Sequence, residues 1–323
     1  MSRKASAKLT RLIKAATPSE KRYMRIRLTR GEDARTDKYL QLYDALVSKA
    51  IEDDYVLATR IYGDDKRLST KYANLKQYLY EILLDTLYDF DERGAAKQQL
   101  DRHFRNLSVL FKRGLYQDCD EVLQKAMRLA ERYEYFTCQL EVMKWQKLLT
   151  YTRMDADFLY KNIERLQAME NKTLLQIQNQ SAYRSAFLQL YLTAKKEGRL
   201  SAPEARARFD SLIQSDLFTS PEKALSHTAK VLYYRSLNLY YYIVNQSEQF
   251  HESGQKLVEL LESQPHFLKE GLVDYIAALS NYILSCGLSR RYDEVRRALE
   301  KLRQLRLITQ DDRRKTHRQY FSN

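Results

Sequence analysis

Eight glycines and four prolines are the only strong helix breakers in 323 residues. The two types ordinarily supply about 12% of a sequence, and a sheet protein needs turn formers between all its short strands. So sparing a use of them argues against a sheet protein and favours long helices with short connections. Leu, Ala, Lys, Arg, Glu and Gln, all good helix formers, are abundant. The 25 tyrosines fit the same picture, because tyrosine suits a half-buried helix face with its ring packed and its hydroxyl wet.

Residues 103–126, HFRNLSVLFKRGLYQDCDEVLQKA, read as two helices joined by a tight turn. Leu107 and Leu110 face inward from the first helix, Gly114 and Tyr116 make the turn, and Cys119, Leu123 and Ala126 face inward from the second. Near the N-terminus Leu9, Leu12, Ile13 and Ala16 form one apolar face at i, i+3, i+4 and i+7. Thr17-Pro18-Ser19-Glu20 has the form of a capping box opening a second helix. The same periodicity predicts helices over 37–52, 69–90, 97–113, 117–133, 136–151, 155–169 and 174–196. The segment over 55–62 is ambiguous: its alternation fits a short strand, but an isolated strand has nothing to pair with, so a short helix is expected. Capping signals open further helices at Ser201-Ala202-Pro203-Glu204, to about Leu217, and at Ser220-Pro221-Glu222, to Val244. Helices over 250–262, 267–286 and 292–305 follow, and Thr309 with Asp312 caps a last basic one. Connections this short make consecutive helices antiparallel neighbours. The expected architecture is all-α: a right-handed α-solenoid of helical hairpins over 31–308, a basic helical arm at 1–30 and a basic C-terminal helix at 309–323.

The net charge of +13 is concentrated at the two ends. Residues 1–30 hold ten lysines and arginines against Glu20 alone, and residues 290–323 hold eleven against five acids. The body between them is nearly neutral. This asymmetry points to acidic partners at the ends rather than to general solubility. Cys119, Cys138 and Cys286 are scattered, odd in number and on apolar faces, as expected of reduced core residues. No apolar run approaches the ~20 residues that span a bilayer, and the N-terminus lacks the apolar core of a secretion signal. The expectation is a cytoplasmic protein.

No catalytic, metal or cofactor site is expected. His103, His227, His251, His266 and His317 have no partner at metal-ligand spacing, and there is no HExxH, paired CxxC, Gly-rich phosphate loop or GxSxG. The acidic pairs such as Asp53-Asp54 sit where Asp caps helices and favours the dipole.

An anchor at Tyr116 with inward residues at +3, +7 and +10, and at −6 and −9, is matched on Phe250 by Ser253, Leu257 and Leu260 with Val244 and Tyr241. On Tyr292 it is matched by Val295, Leu299 and Leu302 with Cys286 and Ile283. With the aromatic turn residue, the small Cys119, Ser253 and Ala126, and Pro265 after the second hairpin, this frame resembles the tetratricopeptide-like hairpin. Leu107, Tyr241 and Ile283 depart from it, standing where that family keeps a small residue. The run LIKAATPSEKRYMRIRL resembles the opening of a group of helical-repeat proteins from Bacteroidota. Both resemblances imply architecture; neither supplies an activity.

Function is therefore expected from surfaces. Tyr233, Tyr240 and Tyr241 recur at near-helical spacing as core, whereas Tyr234 and Tyr242 point elsewhere and are expected to line a groove for a partner peptide. That makes a non-catalytic scaffold or adaptor the leading expectation. The alternative is an RNA- or other polyanion-binding protein using Lys8, Arg11, Lys14, Lys21, Arg22, Arg25 and Arg27 with Arg313, Arg314 and Lys315. Attachment to an anionic membrane ranks below both, because the apolar face of the first helix is narrow and lacks Trp or Phe.

Overall fold

A computed structural model describes residues 2–29, 34–48, 53–63, 65–91, 96–154, 156–197 and 203–305. Among these the chain is all-α, with fifteen α-helices, two 3₁₀ turns and no strand. It divides into two compact units, residues 1–99 and 100–323.

The first unit contains α1 (Ser2–Ala15), α2 (Pro18–Thr29), α3 (Ala34–Val47), α4 (Asp54–Tyr62) and α5 (Leu68–Asp91). The capping box at the start of α2 forms in both directions. The Thr17 amide donates to Glu20 Oε2 at 2.6 Å, and the Glu20 amide donates to Thr17 Oγ1 at 3.3 Å. Leu9 and Ile13 of α1, Met24 and Leu28 of α2, Leu42 and Tyr43 of α3, and Leu75, Leu79 and Leu83 of α5 share one buried cluster. α1 and α2 thus share the buried cluster of the first unit with α3, α4 and α5. The ambiguous segment over 55–62 is helical, burying Leu57, Ala58 and Ile61.

The second unit runs from α6 (Ala96–Lys112), which crosses the division, through α7 (Tyr116–Arg132), α8 (Phe136–Thr152), α9 (Ala156–Glu197) and α10 (Pro203–Ile213). It continues with α11 (His227–Ile243), α12 (Ser247–Glu262), α13 (Pro265–Glu270), α14 (Leu272–Leu288) and α15 (Tyr292–Gln304). The expected hairpin at 103–126 is present, with Leu107, Cys119, Leu123 and Ala126 all buried in one cluster. From α7 onward α7 packs on α8, α8 on α9, α9 on α11, α11 on α12, α12 on α14 and α14 on α15.

One backbone device recurs at these turns. Gly114, Glu134, Met154, Asn245 and Arg290 all have positive φ, between 53° and 71°. After four of them the next amide reaches back five residues: Leu115 to the Leu110 carbonyl, Tyr135 to Ala130, Gln246 to Tyr241 and Arg291 to Cys286, at 2.8–3.1 Å. This is the left-handed C-terminal cap that ties up the last carbonyls of a helix. The next helix starts two residues after each left-handed residue, at Tyr116, Phe136, Ala156, Ser247 and Tyr292. The residue equivalent to Tyr116 is thus Ser247, three positions before the expected anchor Phe250. In that register the inward positions of α12 are Phe250, Gly254 and Leu257, all buried.

Several expected boundaries move. The helix expected to run to about Leu217 ends at Ile213 and is followed by a 3₁₀ turn, Asp216–Phe218. The two helices over 155–169 and 174–196 are one helix, α9, because the polar run between them finds partners on α8. Glu170 pairs with Lys147 at 2.6 Å, and Thr173 donates to the Met169 carbonyl and to Gln139. The helix expected from Ser220 starts at His227. Pro221–Lys223 is a 3₁₀ turn, and Ser226 caps α11 by accepting the Ala229 amide at 3.0 Å. Side chains of α9 hold this connection, with Asn179 bonding Lys223 and Leu225 and Gln176 bonding Leu225. Glu134, from the α7–α8 turn, accepts the His227 and Thr228 amides and so adds a second cap. The helix expected over 267–286 is divided at Gly271 into α13 and α14. The capping signals at Ser201 and Thr309 lie outside the described residues.

Candidate functional site

The second unit carries an aromatic groove of about 360 Å³ between α9, α11, α12 and α14. Phe187 and Tyr191, one turn apart on α9, form one wall, with ring centroids 6.3 Å apart and nearly parallel. Tyr242 of α11 packs on Phe250 at 5.3 Å to form another. Leu284 and the small Ala277 and Ala278 come from α14. Arg235 lies over the Phe187 ring at 5.2 Å and is paired with Asp274 at 2.9 Å, so its charge is largely spent.

Two amides, Asn238 and Asn281, also line the groove. Asn238 is buried; its Nδ2 donates to the Phe250 carbonyl at 3.0 Å and to Ser253 Oγ at 3.2 Å. The exposed Asn281 donates to Asn238 Oδ1 at 3.3 Å. That leaves Asn281 with an amide oxygen and a second N–H to offer a ligand. Apolar walls with one fixed amide suit an apolar side chain and the peptide group beside it.

The expected groove residues are treated differently by the fold. Tyr242 lines the groove. Tyr234 does not: it packs between two core clusters, edge-on to the buried Tyr233 at 5.0 Å. Tyr191, one turn after Phe187 at the spacing periodicity assigns to an inward residue, is 47% exposed on the groove wall. Its spacing from Phe187 is that of a core pair, and a core pair and a concave wall leave the same trace in a sequence.

A larger hollow, about 630 Å³, lies between α7, α8 and α9. Its polar lining is partly neutralised internally, as in Arg153 with Asp120 at 2.8 Å, and it offers no aromatic wall.

The basic residues of the first unit are dispersed. Lys8, Arg11 and Lys14 are exposed on α1, as are Arg22, Arg25 and Arg27 on α2, while Lys21 is half-buried. Arg25 pairs with Asp44 of α3 at 3.0 Å and Arg27 with Asp89 of α5 at 3.8 Å. Arg22 and Arg27 lie about 140° apart round α2 at ~100° per residue, so one flat polyanion cannot meet both. Lys8, Lys14 and Arg22 carry no ion pair among the described residues. Arg313, Arg314 and Lys315 lie outside the described residues. Within α15 much of the basic surplus is matched: Arg291 pairs with Glu248 and Glu294, Lys301 with Glu262 and Arg303 with Glu300.

Cys119, Cys138 and Cys286 are buried and unpaired with one another, as expected. No described helix is long and apolar enough to cross a membrane. No protein-family model, curated protein or solved structure matches the chain.

Proposed function

We propose that the chain is a non-catalytic adaptor whose second unit coils as a right-handed, tetratricopeptide-like stack and grips a partner peptide by one large apolar side chain. The observation that carries this reading is the groove walled by Phe187, Tyr191, Tyr242 and Leu284, with the unspent amide of Asn281 beside it. At about 360 Å³ the groove is too small for a whole helix and near the lower bound of ligand pockets. It takes an anchor residue, and Asn281 bonds the main chain next to that anchor. The recurring left-handed turns support the tetratricopeptide-like part of the reading, since they give the hairpins one common register.

The test is selection from a random-peptide phage library on the full chain. Enriched peptides should share a large apolar anchor. Tyr242→Ala and Tyr191→Ala should each weaken the best peptide by at least about tenfold, equivalent to ~1.4 kcal/mol, with the melting temperature preserved. Unchanged affinity in both variants would remove this groove from the interface.

A second reading, polyanion binding by the first unit, is favoured by one observation: Lys8, Lys14 and Arg22 are exposed and have no ion pair among the described residues. The pairs of Arg25 and Arg27 are exposed, weak and exchangeable for phosphate. In this reading Lys8→Glu with Arg22→Glu lowers the salt slope of binding to a mixed RNA pool. An unaltered slope excludes these residues.

A further inference from the structure

Three metal-ligating side chains from three helices converge in the second unit. His251 of α12, Cys286 of α14 and Glu294 of α15 place an imidazole nitrogen, a thiol sulfur and a carboxylate oxygen within 4.8 Å of one another. His251 and Cys286 are 2% and 0% exposed, whereas the Glu294 side chain is 23% exposed at the edge. Glu294 Oε2 is the hub: His251 Nε2 lies 2.9 Å away, the Tyr282 hydroxyl donates to it at 2.5 Å, and Cys286 Sγ lies at 3.8 Å. Glu294 and Tyr282 also line a cavity of about 450 Å³ between α12, α14 and α15. An ion therefore has an approach route that the buried sulfur and nitrogen alone would not give it.

We propose that His251, Cys286 and Glu294 form a Zn²⁺ site. The donor set of imidazole, thiolate and carboxylate is the one this borderline-soft ion selects. Zn–N, Zn–O and Zn–S bonds of ~2.0–2.3 Å require ligand atoms roughly 3–4 Å apart. The Nε2–Oε2 separation of 2.9 Å and the Sγ–Oε2 separation of 3.8 Å lie close to that spacing. The Glu294 carboxylate is the ligand on the open side and the freest of the three to adjust, since its side chain is 23% exposed while His251 and Cys286 are buried.

The charge balance favours the ion. Zn²⁺ displaces the Cys286 thiol proton to solvent, and the thiolate and the Glu294 carboxylate then match the two positive charges; His251 gives up its Nε2–H bond to Glu294, takes the neutral tautomer with its proton on Nδ1 and binds through Nε2. The nearby Arg291 guanidinium, 3.6 Å from Glu294, is matched by Glu248 at 2.6 Å, so the assembly stays neutral and avoids much of the desolvation cost of a buried charge. The Tyr282 hydroxyl keeps donating to Glu294 and orients it, the usual task of a group behind a metal ligand. The fourth position is left to water on the cavity side. Sequence spacing concealed the set, because His251 stands 43 residues and Cys286 eight residues before Glu294.

The test is a Co²⁺ titration of the full chain after dialysis against a chelator. Cobalt reports a bound thiolate by a near-ultraviolet charge-transfer band. The band should saturate at one equivalent, be bleached by one equivalent of Zn²⁺, vanish in Cys286→Ser and persist in Cys119→Ser. Glu294→Gln should weaken Co²⁺ binding by at least about tenfold. A folded chain that shows no thiolate band with excess Co²⁺ overturns the proposal, as does a band that survives Cys286→Ser. Should Cys286→Ser fail to fold by circular dichroism, Glu294→Gln decides, since its substitution lies at the open edge: undiminished Co²⁺ affinity there overturns the site.

Discussion

The first unit buries a full cation, whereas the second buries mostly neutral amides, hydroxyls and imidazoles. Lys76 of α5 is 1% exposed. Its ammonium sits 3.0 Å from Asp54 Oδ2 and 4.6 Å over the Tyr72 ring, and the Tyr72 hydroxyl donates to the other Asp54 oxygen. In the second unit Asn238, Ser236, Ser253 and Ser280 are buried, each donating a hydrogen bond to a backbone carbonyl or a side chain. The difference matters because a buried charge stripped of its partner is costly in a way that a neutral amide is not. A single substitution should therefore damage the first unit more than the second.

Asp54→Ala tests this most severely. It leaves the buried Lys76 ammonium without its carboxylate; because the Asp54 side chain is itself 37% exposed and water can reach the gap, the loss should lie at the low end for such pairs, about 3 kcal/mol. The chain contains one tryptophan, Trp145, which lies on α8 of the second unit and packs edge-on to Phe111 at 5.4 Å. Tryptophan fluorescence thus reports the second unit, while far-ultraviolet circular dichroism reports both. In urea, Asp54→Ala should bring part of the dichroism transition to lower concentration and leave the fluorescence transition in place. If fluorescence moves equally, the two units unfold as one and the contrast between them is not energetic.

Glu294 provides the matching charge experiment in the second unit. Hydrogen bonds from Tyr282 and His251 hold its pKa down at about 2, against an ordinary 4.5. Because the folded value is depressed, the stabilisation is fully present above pH ~4.5 and is lost as pH falls towards 2. With allowance for solvent at the partly exposed carboxylate it amounts to about 2 kcal/mol. Stability measured with chelator present should place Glu294→Gln below the parent at neutral pH, and the two curves should meet near pH 2. Parallel curves across that window would show that Glu294 has no depressed pKa.

Two caps offer a smaller and more local comparison. Thr17→Ala in the first unit and Ser226→Ala in the second each remove a side-chain acceptor from a helix N-terminus, at about 1 kcal/mol. Ser226→Ala should be the milder, because Glu134 caps the same helix from another turn. Equal losses would mean that the carboxylate does not share the task.

These two caps also mark where the sequence is legible. The Thr17–Glu20 box is local and could be read directly, as could Cys119, Leu123 and Ala126 on one face of α7. The Glu134 cap joins residues 93 and 94 positions apart and leaves no local trace. The repeating turns were hidden for another reason: of the five left-handed residues only Gly114 and Asn245 are types that favour that conformation, and Glu134, Met154 and Arg290 give no breaker signal. Likewise 170–173 reads as a connection because its residues are polar, yet Lys147 and Gln139 on α8 satisfy Glu170 and Thr173 inside a continuous helix. Tyr191 and the three convergent side chains around Glu294 belong to the same class. Periodicity places a residue on a helix face, and only tertiary packing says what that face meets.

Gly254 gives the finest test, because two opposed terms nearly cancel there. As a glycine inside α12 it loses about 0.5–1 kcal/mol relative to alanine. An added Cβ would stand 3.2 Å from Asn238 Nδ2 and 3.6 Å from Tyr282 Cδ2. Asn238 cannot withdraw without giving up its bonds to the Phe250 carbonyl and Ser253. Gly254→Ala in the parent should therefore be near neutral or destabilising by a few tenths of a kcal/mol. In an Asn238→Ala background the obstruction is gone, and the same change should stabilise by about 0.5–1 kcal/mol. The double-mutant cycle then yields a coupling near 1 kcal/mol. A cycle that closes with no coupling would show that the amide yields freely, and that the close approach of α11 and α12 owes nothing to a missing side chain at position 254.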